Sequence, residues 1–425
     1  MAPGHDTTDL PRERVDVARR AVAAVFIVNG FLFATLFARL PDLRDGLDLD
    51  PGQVGLLLLC LSTGTLVALP SSGLVIAWLG PRLSTLAGAV VAAAAYTGIA
   101  TGLATGSIPV VAVSLFAAGA GISTWDVSMN VEAVEVERRL ARPILPRFHA
   151  GFSIGSVGGA LVAAVCSHTG ITMATQLTVT AFGVLVVVVI CLRGYLPAVE
   201  DHDEEDRTSP LRAWLEGRTL AIGLVVLCFA LCEGIANDWL ALGLVDGYGT
   251  SPAAGSAGFA VFVSAMTLGR LVGGSVTVRF GRVATLRGTA LLVVLGATTV
   301  VFSPVTAGAY VGAVLWGLGA SLGFPVGMTA AGDEPRRAAA RLSVVTSIGY
   351  AAFLGGPPLV GTLADHIGIR DSLLVAVGAA LLGMAASGAV RERGPATADG
   401  APTGSTSPVS GAPTGESSRE TAPER

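Results

Sequence analysis

The chain has 425 residues, 52% of them apolar and only 14% charged, with a mean hydropathy of +0.68. A soluble domain carries about 25% charged residues, so there is too little polar material here to cover the apolar mass in water, and most of the chain must be solvated by lipid. The net charge is −4 and all 27 basic residues are arginine, which excludes a general nucleic-acid-binding face and, since lysine is absent, the usual phosphate-cradling loop of a nucleotide-driven pump.

The first 18 residues are polar and mixed in charge, without the short apolar core and cleavage site of a secretory signal. The first apolar run is therefore expected to stay as an anchor. A membrane-crossing helix needs roughly 20 apolar residues, and twelve such runs follow. The first six are 21–40, 53–77, 83–105, 108–134, 148–168 and 171–193; the second six are 219–245, 255–278, 283–303, 306–331, 342–364 and 371–390. Between the sets lies an acidic stretch with Glu200, Asp201, Asp203, Glu204, Glu205 and Asp206, read as a solvated connector. The expected organisation is a tail at 1–18, a six-helix bundle at 19–194, a linker at 195–218, a second six-helix bundle at 219–391 and a tail at 392–425. The last is rich in Gly, Pro, Ser and Thr, a composition that builds no core. The 55 glycines fit closely packed membrane helices, where small residues let backbones approach. The five cysteines are scattered through apolar runs without metal-ligand or paired spacing, and read as packing residues.

Arginine is enriched in cytoplasmic loops. Twelve crossings with the N-terminus inside put 23 of the 27 arginines on the inner side, so both termini are expected in the cytoplasm of a cell-membrane protein. The halves also repeat. Gly73–Leu86 follows the second run as Gly274–Arg287 follows the eighth, 201 residues later; Ser153-Ile-Gly155 matches Ser347-Ile-Gly349, and His168-Thr-Gly-Ile171 matches His366-Ile-Gly-Ile369. The expected fold is all-α, with two pseudo-symmetric six-helix bundles meeting around a central cavity.

This plan, with a glycine-rich loop after the second and eighth helices, resembles the major facilitator superfamily (MFS). In detail, Arg39-Leu-Pro-Asp-Leu-Arg44, the stretch Trp125–Glu137, Arg147–Gly155, Glu233–Trp239 and Gly355–Gly361 resemble the branch of YbjJ-like and MosC-like permeases, which is similar to the fucose permeases. Those carry an acid in the fourth helix and an asparagine four residues on, a pattern occupied here by Asp126 and Asn130. The resemblance implies transport of a small molecule and a cavity lined by helices one, four, seven and ten. The superfamily's loop motif has an aspartate where this chain has Ala77 and Val278, while Gly361-Thr-Leu-Ala-Asp365 spells that motif after helix eleven and is taken as incidental.

Ionisable residues inside membrane helices are costly, about 2.5–3.5 kcal/mol at the centre, and tend to face a cavity or a partner. Glu233 and Asp126 are therefore the candidates for proton coupling. Asn130 shares a helical face with Asp126, as Asn237 does with Glu233, whereas Asp238 points away from Glu233. Asn29, Trp125, Asn130, Asn237, Trp239 and Tyr350 are the candidates for a substrate cavity; His149, Arg270 and Glu132 are the candidates for a gate, with Arg270 at a depth that permits a pair with Asp126. The expected partners are a small polar, sugar-like solute, protons and the bilayer, for a chain acting as a monomer with no cofactor or metal. Proton-driven drug efflux is the alternative, disfavoured because Gly155-Ser-Val-Gly158-Gly159 lacks the proline of the drug-antiporter element it resembles. A third reading, a serine hydrolase, rests on Gly151-Phe-Ser-Ile-Gly155 with His149 nearby. The nucleophile elbow requires a strand-to-helix turn, so the chain is not expected to be an enzyme.

Overall fold

The computed structural model describes residues 11–140, 144–196, 213–334 and 337–392; the acidic run of the connector and the tail from residue 393 lie outside them. Every element among the described residues is helical: α1 (Arg12–Phe37), α2 (Leu40–Leu47), α3 (Pro51–Thr105), α4 (Ile108–Leu140), α5 (Leu145–His168) and α6 (Met173–Cys191), then α7 (Gly217–Tyr248), α8 (Pro252–Phe280), α9 (Arg282–Phe302), α10 (Thr306–Ala320), α11 (Gly323–Ala331), α12 (Ala338–Ile367), α13 (Ile369–Ser372) and α14 (Leu374–Ala386). Eleven helical stretches are long and apolar enough to cross a membrane. One of them, α3, has 55 residues, about 80 Å at 1.5 Å per residue against roughly 30 Å of hydrocarbon. It is two crossings joined at a corner, which brings the number to twelve.

That corner is a single residue, Gly80, with φ 72° and ψ 166°. Its counterpart 201 residues later, Gly281 between α8 and α9, has φ 78° and ψ 161°. This backbone region is essentially closed to residues with a Cβ, so the sequence repeat is expressed as the same sharp corner in both halves. The chain departs from the expected spans in three further places. Helix α1 begins at Arg12, within the expected N-terminal tail; α2 is an additional short helix; and the tenth crossing breaks at Ser321-Leu322 between α10 and α11.

Large apolar side chains point outward, with Val113 71% and Leu271 62% exposed, as lipid-facing surfaces require. Inside, glycines set the spacing. A Cβ on Gly155 would strike the Ile27 carbonyl of α1, one on Gly30 the Phe152 carbonyl of α5, and one on Gly159 the Phe31 carbonyl. The Gly151-Phe-Ser-Ile-Gly155 stretch is thus the small-residue face on which α5 meets α1; Ser153 donates its hydroxyl to the His149 carbonyl one turn back. Between the halves, α5 packs on α8 and the first arm of α3 packs on α12.

Candidate functional site

Five ionisable or hydroxylated side chains from five helices fall into two sets, Arg270 with Glu233 and His149, and Asp126 with Tyr350. Arg270 of α8 forms an ion pair with Glu233 of the adjacent α7 at 2.9 Å, the side chains 29% and 17% exposed. The pair with Asp126 that equal depth permitted does not form, because Glu233 on the neighbouring helix satisfies the guanidinium first. Arg270 is also within electrostatic reach of His149 of α5, which is exposed and packs edge-on against Phe26 with ring centroids 5.4 Å apart. Asp126 of α4 has no hydrogen-bond or ion-pair partner among the described residues and lies within electrostatic reach of Tyr350 of α12. The two relations that cross the halves are therefore His149 with Arg270, and Asp126 with Tyr350.

The neutral candidates are placed differently. Asn130 turns back on its own helix, its amide donating to the Asp126 carbonyl at 2.9 Å. Asn29 is 1% exposed with both amide atoms unpartnered, and Asn237 is 6% exposed. Trp125 and Trp239 are wholly buried, the first against Gly88 of α3 and the second against Gly361 of α12; in this conformation neither ring face is open for stacking. Their indole N–H groups, like the Asn29 amide, find no partner. Glu132 is only 3% exposed and accepts a 2.7 Å hydrogen bond from the Leu196 backbone N–H. It anchors the segment after α6.

A further acid is buried in α7. Asp238 is 7% exposed, again without a hydrogen bond or ion pair among the described residues. Its signal was the acid itself, set aside because it faces away from Glu233.

Among the described residues the halves are joined by polar bonds only at the end where α1 finishes and α3 begins. There Arg44 pairs with Asp246, the Ser256 hydroxyl donates to the Ala38 carbonyl, and the Gly52 N–H at the start of α3 donates to the Asp365 carboxylate at 3.0 Å. The stretch ending at Asp365 is therefore not incidental: it sets a carboxylate at the N-terminal end of a helix, where the backbone N–H groups favour negative charge. Arg39, 2% exposed, braces the same end through Asp42 and Gln176, each at 2.7 Å. At the arginine-rich end no hydrogen bond or ion pair joins the halves among the described residues.

A many-spanning helical fold with a repeated corner, and with ionisable side chains of both halves set inside its membrane-spanning helices, is the architecture of a membrane transporter. The sequence profile of the Major Facilitator Superfamily matches residues 22–357, and the chain belongs to that family. It is 32% identical over 360 residues to an uncharacterised MFS-type transporter of Yersinia pestis, covering 84% of this chain and 90% of the relative. It is 27% identical over 361 residues to the membrane protein MosC of Rhizobium meliloti, covering 84% and 87%. Among solved structures, the fucose:proton symporter FucP of E. coli superposes with a TM-score of 0.61 at 13% identity, over 88% of this chain and 98% of that one.

Proposed function

We propose that the chain is a proton-coupled secondary transporter of a small polar, sugar-like solute, working by alternating access as a monomer in the bacterial cytoplasmic membrane with both termini in the cytoplasm. Residues 19–194 and 219–391 form the two bundles that rock against each other. The observation that carries this reading is Asp126. It is an intramembrane acid without a counter-charge, set opposite Tyr350 of the other half, behind a seam clasped at one end only.

Glu233 has Arg270 to compensate its charge; Asp126 has none, and protonation is the way to relieve an uncompensated buried charge. We therefore assign proton loading to Asp126, and to the Glu233–Arg270 pair the task of keeping the second half neutral while its charges stay open to polar groups of the solute. A nearby fold known for fucose and proton symport supports the solute class.

The test uses proteoliposomes and a panel of sugars, polyols and drug-like compounds. Asp126→Asn should abolish accumulation driven by an imposed pH gradient, at least tenfold, and leave solute exchange intact. If Asp126→Asn accumulates normally and Glu233→Gln does not, the proton site belongs to α7. Retention of drug-like compounds alone would replace uptake of a polar solute with efflux.

A further inference from the structure

A cleft of about 560 Å³ opens where the corner of α3 meets the end of α6 and the start of α1. Three arginines from three separate elements line it: Arg14 of α1, Arg82 just past the Gly80 corner, and Arg193 in the turn after α6. All three are exposed, and none makes a hydrogen bond or ion pair among the described residues. Like charges converging without an acid repel one another, so the cleft as it stands is electrostatically incomplete.

Three acids of this half are committed elsewhere. Glu132 accepts from the Leu196 N–H, Glu137 from the N–H groups of Ile144 and Leu145 at 2.7 Å each, and Glu135 pairs with Arg138 and Arg139. The second half completes its own corner internally: Asp333 bonds Arg218 at 2.9 Å and Arg282 at 2.7 Å. Among the described residues no acid lines the first-half cleft, which leaves a place for a counter-anion from outside the bundle.

Three features say what kind of anion. Gly80 and Pro81, at the N-terminal end of the second arm of α3, line the cleft, and a helix start favours phosphate. Tyr195, also a lining residue, is 2% exposed, and its buried hydroxyl makes no well-formed hydrogen bond, with Thr85 within reach. Finally, the rim is greasy and open: Leu83 is 51% and Leu79 45% exposed. A free inorganic anion has no use for that apolar rim, whereas a lipid needs both parts, a cationic cup for its headgroup and an apolar flank for its chains. Basic pockets between membrane helices hold such headgroups.

We propose that this cleft binds the phosphate headgroup of an anionic phospholipid. Arg14, Arg82 and Arg193 hold the phosphate, and Leu79 and Leu83 flank the acyl chains. The lipid supplies the negative charge that Asp333 supplies in the other half, and so holds the end of α6 against the corner of α3.

The full chain, purified in neutral detergent, tests this by native mass spectrometry and thermal melting with phosphatidylglycerol, phosphatidylcholine or inorganic phosphate added. One phosphatidylglycerol should survive activation that strips phosphatidylcholine, and only phosphatidylglycerol should raise the melting temperature. At about fivefold per basic residue, Arg82→Gln with Arg193→Gln should weaken that binding about twenty-five-fold, and the Arg→Lys pair should retain most of it. Arg279→Gln, near the other corner, should change nothing. Equal retention of the two lipids, unaltered binding by the double Gln variant when its unliganded melt matches that of the unmutated protein, or stabilisation by inorganic phosphate alone would each overturn the proposal. So would stability set by neutralising Asp203, Glu204 and Glu205 with no dependence on lipid, which would make the acidic connector the occupant.

Discussion

The corners at Gly80 and Gly281 have backbone angles within 6° of each other, yet their surroundings differ. Around Gly281, Asp333 draws Arg218 and Arg282 together, and nearby Glu216 holds Arg341 at 2.5 Å and Arg337 at 3.3 Å. Around Gly80, Arg82 and its neighbours Arg14 and Arg193 face a cleft without an acid. The repeat has preserved what the chain path demands, a residue without a Cβ at one turn, and left each half to neutralise its arginines in its own way. Geometry and charge are separable properties of a duplicated fold.

The hardest blow to the shared part of this comparison is a side chain at the corner. Gly80→Val and Gly281→Val should each cost about 3 kcal/mol, seen as matched losses in thermal stability; a large loss at only one site would mean that the corners are not equivalent. The next variant separates them. Asp333→Asn leaves two guanidinium groups facing each other and should cost about 2 kcal/mol, and no single substitution of an acid near Gly80 should mimic its effect on that corner.

Acid offers a milder version of the same experiment. At Asp333 the upward push of burial is outweighed by the hydrogen bonds and charges of Arg218 and Arg282, which hold the carboxyl below its usual range. At Glu216 the Arg341 hydrogen bond lowers the carboxyl, against burial and with help from Thr219 and Arg337. A lowered carboxyl stabilises the fold fully above the unfolded value of about 4 and loses that contribution as the pH falls through the folded value. Hydrogen exchange at 281–287 should therefore accelerate below about pH 4 well before that at 80–86. The smallest effect completes the series: Arg82→Gln in neutral detergent should change stability by less than about 0.5 kcal/mol, and a larger loss would reveal an internal partner for Arg82.

Hydropathy located the crossings because the requirement for about 20 apolar residues is written in every one. It did not show that α3 runs on through its corner, since a glycine and a proline beside an arginine look like a loop until the angles are known. Nor did it show which acid Arg270 would meet. These helices are apolar on nearly all sides, so periodicity carries little information about which face meets which neighbour; Asp126 and Glu233 were equal claimants, and only the packing of α7 on α8 awarded Arg270 to Glu233. Asp238 was discounted on helical phase alone, although its burial, 7% exposed, makes it as costly as the others. Asp365 was legible as a motif, but its meaning lay in Gly52, 313 residues away.

The clasp at the end where α1 finishes and α3 begins is made of few parts. Its ion pair, Arg44 with Asp246, is 16% and 29% exposed, and such pairs contribute about 0–1 kcal/mol; the two hydrogen bonds add about 1 kcal/mol each. Under the proposed alternating access, together they would favour the form closed at this end over the open one by roughly one to two orders of magnitude. Under that proposal, a bound solute preferring the open form by a comparable factor would reverse the ratio.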